Sequence, residues 1–262
     1  MAKVHRNGTV ARQRDPLTRG LQILAAMVDS EEGSCGVREL AARSGLPASS
    51  VHRLLGVLQE IGMVHQNEED RYEIGLEFYR MAWRCSDHRS LKTIAQPVLA
   101  GLMERTGESA LLGILDEDRL EMLFAICVES PHPVRYIVEL NKWIPIHAGA
   151  SGLAILAYLT PDQRAAVVRS TNLAPLTKRT ITDPEQLEAE LARIRERGYA
   201  VSQGQRIDGA CAVCAPIRNR FGRVVGDVCI SLPEQRFDPE AVPHLGELVM
   251  EAAAEITRKI GG

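Results

Sequence analysis

Two apolar stripes of helical period meet across Gly45-Leu46-Pro47, and this junction constrains the fold more than any other feature. Val37, Leu40 and Ala41 form the inner stripe of a short helix that stops at Gly45, a residue able to take the left-handed backbone of a tight turn. Pro47 opens the next helix, with an inner stripe of Val51, Leu54, Leu55, Leu58 and Ile61. Helices joined by so small a turn must cross steeply, as in a helix-turn-helix. Upstream, Leu17, Leu21, Leu24 and Val28 recur at helical spacing behind Asp15 and Pro16, which predicts a helix to about Asp29, ended by Gly33 to Gly36. Downstream, Met63-Val64 and Arg71, Tyr72 and Ile74 flank the polar run His65 to Asp70, the pattern of a β-hairpin.

The outward face of the second helix separates a DNA reader from a plain helical hairpin. Ala48, Ser49, Ser50, His52 and Arg53 crowd its first two turns with short donors, one cation and one titratable ring, and with no acid. Such a face enters a major groove without repelling phosphates, and Arg53 can fork onto a guanine edge. Each of these residues alone is commonly just a solvated one. The group, placed after a glycine turn and before a wing, points to DNA. The hairpin tip Asn67-Glu68-Glu69-Asp70 is acidic, which leaves His65, Gln66 and Arg71 as the wing's candidate contacts, joined by Thr18 and Arg19 at the start of the first helix.

At 262 residues the chain has room for two ordinary domains, and one remains possible. Apolar and charged fractions of 45% and 25% are those of a soluble globular protein, and the least charged stretch, Ile144 to Leu159, is too short and Gly-rich to span a bilayer. The N-terminus lacks the apolar core of a secretory signal, so a cytoplasmic location is expected, where the six scattered cysteines would stay reduced. A net charge of −3 argues against a wholly nucleic-acid-coated surface but not against a local site. Residues 1–15 read as a basic arm: Lys3, Arg6, Arg12 and Arg14 come without an acid before Asp15, a composition that suits contact along phosphates and equally suits an ordinary loose terminus.

Residues 16–75 thus form the expected winged helix-turn-helix, 76–90 a helical linker broken near Asp87-His88, and 91–262 a second domain. The linker reads equally as a lever and as a passive spacer. A helix with Leu91, Ile94, Val98, Leu102 and Met103 inward follows it, then a hairpin of Ser109 to Leu115 with Leu120 to Val128. Thr160-Pro161-Asp162-Gln163 is a capping box, and Asp183-Pro184 with Gln186 starts a helix that Gly198 ends. Ala212 to Ile217 and Val224 to Ser231 form a second hairpin across Gly222, and Pro239 onward an amphipathic helix using Val242, Leu245, Leu248, Val249, Ala252 and Ile256. The mixture is an α+β fold, an antiparallel sheet flanked by helices.

PLTRGLQIL at 16–24, GVRELAARSGLPASSVHRLLGVLQEIGMV at 36–64 and RYEIG at 71–75 resemble the N-terminal half of the IclR family of transcription regulators. The resemblance continues through IPIHAGASGLAILAYL (144–159), RERGYAVSQGQRIDG (195–209) and AVCAPIRNRFGRVVGDVCISLP (212–233), nearly the whole chain. It implies a GAF-like effector-binding domain and a non-enzymatic, cofactor-free regulator, commonly a repressor of a catabolic operon. It also implies a dimer or dimer of dimers on a palindromic operator in double-stranded DNA. Carried over position by position, the effector pocket is Tyr136, Ile144, Ala150, Ser151, Ser202, Ala210, Ala212, Cys229 and Ser231. Here the chain departs from the family, with Ser202-Gln203-Gly204-Gln205 where members often carry acids.

His147 to Gly152 is expected to open a helix over Leu153 to Leu159, whose first amides favour an anion, although small residues there also suit close packing. With no lysine or arginine among the nine pocket residues, backbone amides and hydroxyls are expected to hold a small, aromatic carboxylic acid. Two other readings stand beside this one. Cys211 and Cys214 form a CxxC that suits metal or thiol-redox sensing, but it is a single pair, and on a strand its thiols point to opposite faces. A GAF-like domain with a catalytic cysteine is the second, for which no nucleophile and base set is visible.

Overall fold

The computed structural model describes residues 15–30, 32–87 and 91–261. The basic arm before Asp15 and the break at 88–90 lie outside the described residues. The chain divides into two compact units, Met1–His88 and Arg89–Gly262.

In the first unit, helix α1 (Pro16–Val28) starts where the Asp15 carboxylate accepts the Thr18 N–H at 3.2 Å. The stripe expected on this helix is out of phase. Ile23, Leu24 and Met27 are buried, whereas Leu17, Leu21 and Val28 are exposed, because apolar residues lie on both sides of α1 and only tertiary packing selects one. α2 (Val37–Ser44) ends at Gly45 with φ +67°, the left-handed turn expected there, and α3 (Ala48–Glu60) follows Pro47. Val51, Leu54, Leu55 and Leu58 of α3 are buried, but Ile61 caps the helix and is exposed. The wing is β2 (Val64–Gln66) against β3 (Tyr72–Ile74). A two-residue strand, β1 (Ser34–Cys35), pairs with β3 inside the Gly33 to Gly36 stretch that the sequence marks only as the end of the first helix. α4 (Leu76–Asp87) closes the unit's sequence.

The second unit is a six-stranded antiparallel sheet in the order β6-β5-β4-β9-β8-β7. Its strands are β4 (Ser109–Asp116), β5 (Glu121–Val128), β6 (Ile144–Pro145), β7 (Ala200–Gln203), β8 (Ala210–Arg218) and β9 (Val224–Pro233). Alternation of side chains gives the sheet two apolar faces and therefore two cores. α5 (Leu91–Thr106) and α9 (Val242–Gly261) cover one, packing Leu99, Leu248, Val249 and Ile256 on Leu112, Val213, Val228 and Ile230. On the other lie α6 (Ala150–Leu156), α7 (Pro161–Thr171) and α8 (Pro184–Arg197), around Leu111, Leu153, Leu191 and Ile194. The caps read from the sequence are present: Thr160 and Gln163 cap α7 reciprocally, Asp183 accepts from the Gln186 N–H at 2.8 Å, and Gly198 ends α8 at φ +88°. α6 begins at Ala150, three residues before the expected start, because Gly149 takes φ +82° and redirects the chain. Among the described residues no helix is long and apolar enough to cross a membrane.

Candidate functional site

The leading turns of α3 present Ala48, Ser49, His52 and Arg53 to solvent, with Ser50 half-buried beside the inner stripe. Arg53 makes no ion pair among the described residues, so its guanidinium is available to an outside partner. No side chain caps α3; the Ser50 and Val51 N–H groups donate to the Pro47 carbonyl at 2.9 and 3.1 Å. The other DNA candidates are tied to the unit itself. The Thr18 hydroxyl donates to Asp15 at 3.3 Å, and His65 lies 3.2 Å from Glu73 across the wing.

Arg71 spends its guanidinium inside the unit. It donates to Ser34 Oγ at 2.9 Å, to the Ser34 carbonyl at 2.7 Å, and to the carboxylates of Glu32 and Glu39 at 2.9 and 3.2 Å. This clamp fastens the wing to β1 and to the start of α2. Burial alone would raise the Glu39 carboxyl, but the Gly36 N–H and the cations of Arg71 and Arg43 outweigh it and hold it below its ordinary value.

In the second unit a cavity of about 320 Å³ opens between the sheet, α6 and the loop before β6. Ile144, Ala150, Ser151, Ser202, Ala210, Ala212, Cys229 and Ser231 all line it. The register explains why residues so far apart converge: Ser202, Ala212, Ser231 and Ser109 are successive cross-strand partners, and so are Cys214, Cys229 and Leu111 in the next row. Tyr136 is not in the lining. Its hydroxyl donates to the Asp208 carbonyl at 3.1 Å and packs against Gly209, bracing the rim.

Leu111, Met122 and Phe124 add an apolar wall that the sequence did not reveal, and the cations Lys142 and Arg206 also line the cavity, which corrects the expectation of a pocket without lysine or arginine. Lys142 is paired with Glu139 at 2.5 Å and is well exposed. Arg206 differs. It reaches in from the turn between β7 and β8 and donates to the Pro145 carbonyl at 3.4 Å, with no ion pair among the described residues. Burial pulls its pKa below the ordinary arginine value, the signature of a cation short of solvent and counter-ion. A half-buried guanidinium beside an apolar wall and three serines suits a planar or aromatic anion.

Cys211 and Cys214 occupy opposite faces of β8, in different cores, so the CxxC cannot chelate one ion. Below the cavity, Cys214 meets instead Cys229 and Asp227. Burial pushes the Asp227 carboxyl up to about 7, the nearby Ser151 hydroxyl and Cys214 thiol pulling it only part of the way back.

Comparison with known proteins agrees with this two-unit plan. Residues 16–68 match the IclR helix-turn-helix domain, and residues 84–258 match the bacterial transcriptional regulator IclR C-terminal domain. The transcriptional repressor IclR of Escherichia coli K12 is 32% identical over 251 residues, covering 95% of this chain and 91% of that protein. An IclR transcriptional regulator from Silicibacter sp. TM1040 superposes with a TM-score of 0.82 at 28% identity, over 95% of this chain and 97% of the other. An IclR homologue from Microbacterium hydrocarbonoxydans, solved with 4-hydroxybenzoate, gives 0.80 at 25% identity over 94% and 99%. Fold, helix-turn-helix and two matched domains lead to one conclusion: the chain belongs to the IclR family of DNA-binding transcription regulators, which are not enzymes.

Proposed function

We propose that the protein is a cytoplasmic repressor of a catabolic operon, released from or held on its operator by a small aromatic carboxylic acid bound in the second unit. The cavity carries this reading, because it joins the half-buried Arg206 cation to the apolar side chains Leu111, Met122 and Phe124. The guanidinium takes the carboxylate, the apolar wall takes the ring, and Ser151, Ser202 and Ser231 offer hydroxyls to ring substituents. The 4-hydroxybenzoate found in the Microbacterium relative has this chemistry. An effector shifts DNA affinity only by its difference in affinity for two conformations of the protein.

DNA reading is assigned to α3, with Arg53 on a base edge and Ser49, Ser50 and His52 on bases or phosphates. One helix-turn-helix makes too few contacts for useful specificity, so a homodimer or dimer of dimers supplies the second half-site of a palindrome. The test is operator binding, with DNA from the protein's own upstream region, in the presence of benzoates, 2-oxo acids, sugars and nucleosides. An aromatic acid is expected to change the affinity; a response to sugars or nucleosides alone would overturn the assignment. Light scattering at the monomer mass of 28.8 kDa, with and without DNA, would contradict the oligomer.

A further inference from the structure

Asp227 lies wholly buried on β9, and neither of its carboxylate oxygens has a hydrogen-bond partner among the described residues. The Ser151 hydroxyl and the Cys214 thiol stand close without bonding it, and a buried acid left without a hydrogen bond is unfavourable unless something else satisfies it. Its surroundings narrow what that can be. Cys229 stands two residues on, hence on the same face of the strand, and Cys214 is the direct cross-strand partner of Cys229 on β8. One ligand atom each from Cys214, Asp227 and Cys229 falls within a 4.8 Å cluster, and all three residues are buried. The strand on the other side makes room for the carboxylate: it has Gly113 opposite Asp227, where a Cβ would collide with Oδ1.

We propose that Cys214, Asp227 and Cys229 form a binding site for one soft divalent metal ion of the Zn²⁺ class. Two sulfurs and one carboxylate oxygen are the donors that zinc and cobalt accept, whereas calcium and magnesium require oxygen shells. The present spacing needs only small rotamer shifts to reach the roughly 3.5–4 Å edges of a tetrahedron with metal–sulfur bonds of about 2.3 Å. A divalent cation also supplies the charge that this dry pocket lacks, and it binds as the thiols release their protons. Ser151 Oγ, 3.3 Å from Cys214 Sγ, is the nearest further donor for a fourth position. Ser151 and Cys229 also line the cavity above, so the ion would sit in its floor. The two thiols of the CxxC are not both involved, since Cys211 faces the other core.

The test uses the full-length protein, stripped with chelator, kept reduced and titrated with Zn²⁺ against a chromophoric chelator and with Co²⁺ in an absorption cell. About one equivalent of zinc per chain is expected, together with a thiolate-to-cobalt charge-transfer band. Cys229→Ser and the near-isosteric Asp227→Asn should each weaken uptake by about a hundredfold or more. Cys127→Ser, a thiol two strands away on the same face, should leave it unchanged. Absence of the band in the unmodified protein overturns the proposal without recourse to any variant. So does uptake that survives both ligand substitutions, and so does a Cys214–Cys229 disulfide found in place of metal. Neither operator nor effector takes part in this titration, so its outcome is independent of the regulatory reading.

Discussion

The Arg206 side chain lies across the bare Cα of Gly149, where an added Cβ would sit 3.1 Å from Arg206 Cβ. Gly149 also holds φ +82°, a backbone region that side chains other than hydrogen rarely adopt. Gly149→Ala therefore meets two penalties at once. It should destabilise the second unit by about 1–3 kcal/mol, seen as a lower melting temperature, and displace Arg206 from the cavity. An unchanged melting temperature would show that the loop adapts freely.

Arg206→Ala should weaken binding of 4-hydroxybenzoate or a related benzoate by about 10–100-fold, the range for losing a hydrogen bond to a charged group. Lys142→Ala should change it little, since that ammonium is exposed and already paired with Glu139. Titration calorimetry on both variants checks the contrast. Equal losses would deny Arg206 its special place.

Arg53→Ala should cost about 1–3 kcal/mol on operator DNA and much less on random sequence, because a base-edge contact discriminates and a phosphate contact does not. Fluorescence anisotropy on the two DNAs measures the difference. Parallel loss on both would make Arg53 a phosphate contact.

Arg71→Ala should behave differently, lowering the stability of the first unit by about 1–2 kcal/mol while reducing operator and random binding alike. Its partner Glu39 gives the effect a pH signature. The folded carboxyl is held below its ordinary value of 4.5, so its contribution is present above that pH and is lost as the pH falls through the lower folded value. Chemical denaturation from pH 7 downward should show the parent losing stability faster than Arg71→Ala as acid is added. Identical slopes would show that the clamp contributes nothing electrostatic.

Features written in local chemistry were legible in the sequence. Asp15, Thr160 with Gln163, Asp183, Gly45 and Gly198 start or stop their helices through atoms within a few residues, and each does so here. The pocket positions carried over from the family, Tyr136 excepted, also converge, because the strand alternation that aligns Ser202, Ala212 and Ser231 is itself a sequence pattern. What the sequence hid depends on distant partners. β1 exists only because Tyr72 and Glu73 pair with Cys35 and Ser34 from far along the chain. Nothing near Leu17 or Leu21 indicates which side of α1 the core will take. Arg206 reads as a solvated turn residue until the loop before β6 is folded over it, and Asp227 reads as an outward polar position on a strand that has no outward face.

β4 is a partition one strand thick. Leu111 looks into the cavity, whereas Ala110 and Leu112 on either side of it are locked into the core beneath α5. In a close-packed interior such a wall has no slack, and neighbouring residues of a strand move together. Any molecule that fills the cavity and leans on Leu111 thus leans equally on the seat of α5, the first helix after residue 90. The membrane of a drum behaves in the same way: it cannot be pressed from one side and stay still on the other.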